Sequence, residues 1–223
     1  MKNRIDILPG ISGKTVVCVA GWATGPALFD RLFPDDRRVV ITPFFPATVV
    51  QDLQGWMGQD GGEIARVVGV SMGVPLAIQF AQSATPMVPV IGIGANPGLD
   101  PAMMDGIATM VRRSADAYLS QFWRSCVGVP EDGQWIAESF LDVGWSVEHL
   151  IIGLEFLKWS WGETLLSERI PHLFIHGSTD GISQVGMISE FAETYGLNLH
   201  VVDGVGHLPL GPYSVERWID CVQ

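Results

Sequence analysis

Basic residues are scarce in this chain. Thirteen lysines and arginines stand against 24 aspartates and glutamates in 223 residues, a formal net charge of -11. Nucleic-acid binding needs a basic footprint, so this balance argues against it as a general role. Cysteine is scarcer, at three, with an odd count and no Cys-x-x-Cys spacing. A disulfide framework or a structural zinc site is not expected, and no metal is implied. No apolar stretch approaches the roughly 18 residues of a membrane span. The first apolar run is too short and comes too late for a secretory signal. The chain is therefore expected to be soluble and cytoplasmic, with no membrane partner. Apolar side chains are abundant instead: 48% hydrophobic against 17% charged residues supports a sizeable core and excludes disorder.

The apolar residues fall in short continuous runs. Residues 15–20, 66–70, 88–94 and 172–176 read as strands buried on both faces, and 198–202 as a weaker fifth. Helical patterns follow at 26–33, 72–82 and 184–195. Strand, turn and helix in repetition predict an α/β fold with a mainly parallel sheet, whose ligand site lies at the carboxyl ends of the strands. The segment 100–169 differs. It holds no convincing strand and reads as helices broken at Gly128-Val129-Pro130, near Gly144 and near Gly162. Five of the eight tryptophans lie in it: Trp123, Trp135, Trp145, Trp159 and Trp161. The expected organisation is a core of 1–99 and 170–223 with a helical lid inserted at 100–169.

The sharpest local signal is Gly69-Val70-Ser71-Met72-Gly73, between a strand and a helix. This is the G-x-S-x-G nucleophile elbow in the context it needs: a sharp turn lifts the serine hydroxyl above the sheet. The flanking glycines leave room for neighbouring backbone. Upstream, Ala20-Gly21-Trp22-Ala23-Thr24 follows the first strong strand. There the N–H of Trp22 is expected to face the nucleophile and to form an oxyanion hole with the N–H of Met72.

A serine hydroxyl needs a base. Of the five histidines, His207 sits in a late Gly-Val-Gly-His-Leu-Pro loop and fits the chain order serine, acid, histidine. His172, His176 and His200 lie in or at the ends of predicted strands and read as satisfied core or edge histidines. The acid should end a strand before the histidine. Asp180 does so, in His176-Gly177-Ser178-Thr179-Asp180-Gly181. Asp203, only four residues before His207, is too local to reach its ring easily. Asp180 would hold His207 in the required tautomer and stabilise the imidazolium.

Together these motifs resemble the α/β-hydrolase superfamily from about Val16 to Trp218. Within it the sequence resembles the pimeloyl-[acyl-carrier protein] methyl ester esterases of biotin synthesis. The similarity lies in Gly21-Trp22 with the small polar residues after it, in Gly153-Leu154-Glu155-Phe156-Leu157-Lys158, and in Asp180-Gly181. It departs at Val74, where a second glycine is common, and at Trp159-Ser160-Trp161-Gly162. The resemblance implies a serine carboxylic-ester hydrolase with no cofactor, acting on the methyl ester of a pimeloyl chain carried by acyl-carrier protein.

Other triad enzymes of the fold remain open: a thioesterase, a C–C bond hydrolase, or a menaquinone-pathway lyase, among which Ser-Met-Gly also occurs. A non-catalytic hydrolase-fold binding protein is a further alternative, although such proteins usually lose a triad member. The acyl chain is expected to contact Trp22, Phe122, Trp123 and Phe156, since ligand pockets are mostly apolar. Arg112, Arg113 and Arg124 are candidate docking residues for an acidic carrier. Arg113 and Arg124 lie eleven residues apart, about three turns, so a continuous helix would place them on one side.

Overall fold

The computed structural model of the protein describes residues 3–60, 62–84, 88–140, 144–158 and 173–222. The described strands form one seven-stranded sheet: β1 (Ile5–Leu8), β2 (Thr15–Val19), β3 (Arg37–Ile41), β4 (Ile64–Val70), β5 (Val90–Ile93), β6 (Leu173–Gly177) and β7 (Leu199–Val202). Their order is β1-β3-β2-β4-β5-β6-β7. β1 pairs antiparallel at the edge and every other pairing is parallel.

The predicted strands appear with ends shifted by one to two residues, and His172 lies outside the described residues. β1 and β3 were not expected. β3 opens on Arg37-Arg38, which masks its apolar half, and β1 is a short edge strand with only partial burial. β2 is buried throughout, so Cys18 is core, and burial pushes its thiol far above the ordinary range.

Helices α1 (Val49–Asp60), α2 (Gly73–Ser83) and α7 (Val185–Tyr195) flank the sheet, and a short α8 (Pro212–Val215) follows the last strand. α1 was not foreseen, because Gly55 and Gly58 interrupt its apolar pattern. The helix expected over 26–33 shrinks to a single 3₁₀ turn, Pro26–Phe29. Phe33 takes a positive φ of 50° and Pro34 follows it, which ends any helical continuation.

Between β5 and β6 the chain forms α3 (Pro101–Arg113), α4 (Ala115–Ser125), α5 (Asp132–Phe140) and α6 (Val147–Leu157). Residues 159–169, including Trp159 and Trp161, lie outside the described residues. α3 starts on an Asp100 cap that accepts from Ala102 N–H, with Pro101 in the first turn. Ser146 and His149 form a capping box at the start of α6. No continuous helix joins Arg113 to Arg124. Ser114 is extended, with φ -163° and ψ 93°, and divides α3 from α4. The two arginines therefore belong to different helices, and Arg124 folds back on Ser120.

Among the described residues no helix is long and apolar enough to cross a membrane.

Gly106, in the middle of α3, is exposed, and a methyl group added there would meet open space. Gly106→Ala should raise stability by about 0.5–1 kcal/mol, because glycine loses more backbone entropy in a helix than alanine does. Chemical denaturation measures this change directly.

Candidate active site

Four strands deliver the site at their carboxyl ends. Ser71 follows β4, the Gly21-Trp22 turn follows β2, Asp180 follows β6 and His207 follows β7. Ser71 takes φ 49°, a left-handed conformation that non-glycine residues adopt rarely. Its N–H donates to Ile93 O, and its carbonyl accepts from Val74 N–H, so both neighbouring elements hold the turn. A Cβ on Gly73 would lie 2.3 Å from Val19 O and 2.5 Å from Ala20 O. One on Gly69 would lie 2.7 Å from Val74 Cα. These positions accept only glycine, because the strand-to-helix turn passes against backbone on both sides.

The structure brings Ser71, His207 and Asp180 together. His207 Nδ1–H donates to Asp180 Oδ2 at 2.7 Å, which leaves Nε2 free to accept from the Ser71 hydroxyl at 2.9 Å. Asp180 Oδ1 accepts from the N–H groups of Ile182 and Ser183, at 2.8 and 2.9 Å. Burial works against the charged carboxyl. The charge and hydrogen bond of His207, the Ser183 amide and His176 outweigh it and hold Asp180 below the ordinary carboxylate range. Asp203 is elsewhere, accepting from the Ser178 hydroxyl.

His176, read from sequence as a core or edge histidine, also touches this network. Its side chain is fully buried, its Nε2–H donates to Ser183 O at 2.7 Å, and the same nitrogen lies 3.2 Å from Asp180 Oδ2. The signal was the four-residue spacing across the strand-end turn. Burial holds His176 neutral against the pull of Asp180 and Ser183. A histidine with a lowered folded pKa contributes stability above its ordinary value of about 6.5, and loses it as pH falls toward the folded value. Asp180, shifted down from 3.8, loses its contribution only at stronger acid. His149, also lowered by burial, acts in the same direction as His176. The melting temperature should therefore fall between pH 7.5 and pH 5, and less so in His176→Gln. An unchanged pH slope in that variant would contradict the assignment.

The Gly21 turn lies beside Ser71. A Cβ on Gly21 would be 3.4 Å from Ser71 Cβ. Among the described residues no carbonyl accepts from the N–H of Trp22 or of Met72. The Met72 N–H stands at the start of α2, where helix dipoles favour negative charge.

A cavity of about 180 Å³ opens on Ser71 and His207. Met103, Met104 and Ile107 of α3, Tyr118 and Phe122 of α4, and Leu154 and Leu157 of α6 form much of its wall, with Trp22 at its base. Two of the expected acyl contacts, Trp22 and Phe122, are therefore in the wall, their rings edge to face at 5.0 Å. The expectation for Trp123 and Phe156 is corrected. Trp123 is not among the residues that line the cavity, and its indole N–H donates to Ala23 O. Phe156 lines a separate surface hollow with Pro46, Val50 and Ile152. The α3 contribution was missed, although Met103, Met104 and Ile107 recur at helical spacing on one stripe.

No protein-family model and no curated protein matches the sequence. Solved structures do match its fold. An esterase from Exiguobacterium antarcticum superposes with a TM-score of 0.82 at 18% identity, covering 99% of this chain and 94% of that one. A bromoperoxidase from Bacillus anthracis gives 0.83 at 18% identity, with the same coverage. The enol-lactonase from Burkholderia xenovorans LB400 gives 0.76 at 17%, again over 99% and 94%.

Proposed function

We propose that this chain, which has the α/β-hydrolase fold, is a serine carboxylic-ester hydrolase. The observation that carries this reading is the continuous relay from Ser71 Oγ through His207 to Asp180. His207 Nε2 removes the hydroxyl proton as Ser71 attacks the ester carbonyl. The developing oxyanion is held by the N–H groups of Trp22 and Met72, a kind of contact worth on the order of 3 kcal/mol for one donor. His207 then returns the proton to the leaving alkoxide. A water activated by the same imidazole cleaves the acyl-enzyme. Structural neighbours named as esterases support the same reaction class.

The cavity supports an uncharged acyl chain. Its volume is below the roughly 300–1,000 Å³ of pockets for drug-sized ligands, and its wall is dominated by apolar side chains. Within this class the proposed substrate is the methyl ester of a pimeloyl chain on acyl-carrier protein. Its support is the sequence resemblance, including the Gly-Leu-Glu-Phe-Leu-Lys segment, which supplies Leu154 and Leu157 to the wall. Arg112 and Arg113, exposed at the end of α3, remain the candidate docking residues, with Arg124 on the following helix.

A fluorophosphonate probe should label Ser71, and p-nitrophenyl esters of increasing acyl length should be hydrolysed. A folded protein that takes no label would be a binding protein instead. Restored biotin-independent growth of a host lacking its methyl ester esterase tests the narrower substrate. Alanine at Arg112, Arg113 and Arg124 should slow turnover of a carrier-bound ester at low salt and leave a small free methyl ester unaffected. Equal responses to both substrates would remove the carrier protein from the proposal.

A further inference from the structure

Three indole N–H groups join the Gly21 turn to the helices above it. Trp123 of α4 donates to Ala23 O at 2.9 Å. Trp145, just before α6, donates to Thr24 O at 2.8 Å. In the opposite direction, Trp22 of the turn donates to Leu150 O in α6 at 2.8 Å. The turn needs such support. Ala23 holds φ 58°, which costs a non-glycine residue free energy, and a turn under strain persists only where its surroundings over-determine it. Its internal bonds, from the Thr24 N–H and hydroxyl to Gly21 O, close the loop, and the Thr42 hydroxyl after β3 donates to Thr24 O at 2.6 Å, so the cap indoles share the support of the turn with one bond from the core.

Packing reinforces the same contact. A Cβ on Gly153 of α6 would lie 2.7 Å from Trp22 Cδ1 and 3.1 Å from Met72 Sδ. The helix thus rests directly on Trp22 and Met72, the two residues proposed to supply the oxyanion donors. Phe122 and Tyr118 of α4 pack their rings against the Trp22 indole. Both carbonyls that receive cap indoles belong to the residues immediately after Trp22. Fixing those carbonyls fixes the peptide planes that follow the Trp22 N–H.

We infer that Trp123 and Trp145 are positioning residues for the oxyanion hole, so that the helical cap braces the catalytic turn as well as walling the cavity. This rests on the hydrolase reading above. Fixed dipoles stabilise a transition state because no reorganisation is needed when charge develops. A turn released from the cap would still carry the Trp22 N–H, but in a broader range of orientations. The loss should appear in the chemical step rather than in substrate binding.

The test is Trp123→Phe, Trp145→Phe and the double variant, which keep an aromatic ring and delete the donor. Trp56→Phe, on α1 and remote from the site, controls for loss of a tryptophan. The double variant should lower kcat on a p-nitrophenyl ester by about 10- to 100-fold, less than the 10²- to 10³-fold for deleting an oxyanion donor. KM should stay within about twofold, and affinity for a boronic acid that mimics the tetrahedral adduct should fall in parallel with kcat. Should the double variant not fold, each single variant still gives the kcat split and the boronic-acid affinity. Unchanged kcat and boronic-acid affinity in folded variants would overturn the brace and leave the hydrolase reading standing. A fall in melting temperature alone, or a rise in KM alone, would make the tryptophans structural and also overturn it. A wild-type protein without esterase turnover or Ser71 labelling would overturn the hydrolase reading, and the brace with it.

Discussion

Ester turnover should fall by about 10⁴- to 10⁶-fold in Ser71→Ala, and by a similar factor in His207→Ala, with the double variant little worse than either single one. The expectation follows from the geometry. Ser71 Oγ and His207 Nε2 are 2.9 Å apart and act on one proton, so removing either partner removes the same step. What remains is binding and the oxyanion donors. Asp180→Asn tests the third member differently. The two oxygens of Asp180 accept from different partners: two backbone N–H groups on Oδ1 and His207 Nδ1–H on Oδ2, with His176 Nε2 lying 3.2 Å from Oδ2. An asparagine has one oxygen. Turned to the backbone amides, it presents N–H₂ to His207, which favours the tautomer with the proton on Nε2, and Ser71 then loses its base. A loss of about 10⁴-fold is expected on this ground. Single-turnover kinetics on a chromogenic ester would measure all four variants. Retained activity in Ser71→Ala would remove Ser71 as the nucleophile.

The second large effect concerns Gly177, which ends β6 three residues before Asp180. A methyl group there would lie 2.1 Å from Gly206 O and 2.2 Å from Val205 O. Neither is a flexible side-chain end. Both belong to the loop that carries His207, and this loop cannot retreat. On its far side Gly128 is so close that a Cβ on it would sit 2.1 Å from Gly206 N. Overpacking typically costs about 1–3 kcal/mol, and a backbone-against-backbone clash belongs at or beyond the upper end. Gly177→Ala should therefore lose about 3 kcal/mol or more, a fall of roughly 6–12 °C in melting temperature for a chain of this size. The folded fraction should also turn over more slowly, because displacing Gly206 displaces His207. A variant with wild-type melting temperature and activity would show that the loop yields freely.

The chain itself determined the parts of this protein that are local. Gly69 to Gly73 mark a strand-to-helix turn because the signal, small residues around a serine, lies within five consecutive positions. Continuous apolar runs marked β2 and β4, since strands covered on both faces have no polar side to interrupt the pattern. Chain order singled out His207 and Asp180, which the sheet brings together from 27 residues apart. Rotation and packing over long separations left no such trace. Ser114 divides α3 from α4 through its backbone angles, and no glycine or proline announces the break. The direction of each cap aromatic depended on which face of its helix met the core. That placed Phe122 in the cavity wall, Trp123 on the Ala23 carbonyl and Phe156 in a hollow elsewhere. The three indole bonds to or from the Gly21 turn span 128, 100 and 121 residues for Trp22, Trp123 and Trp145. A hydrogen bond of that kind requires two backbones already fixed in space, so only the tertiary structure decided it.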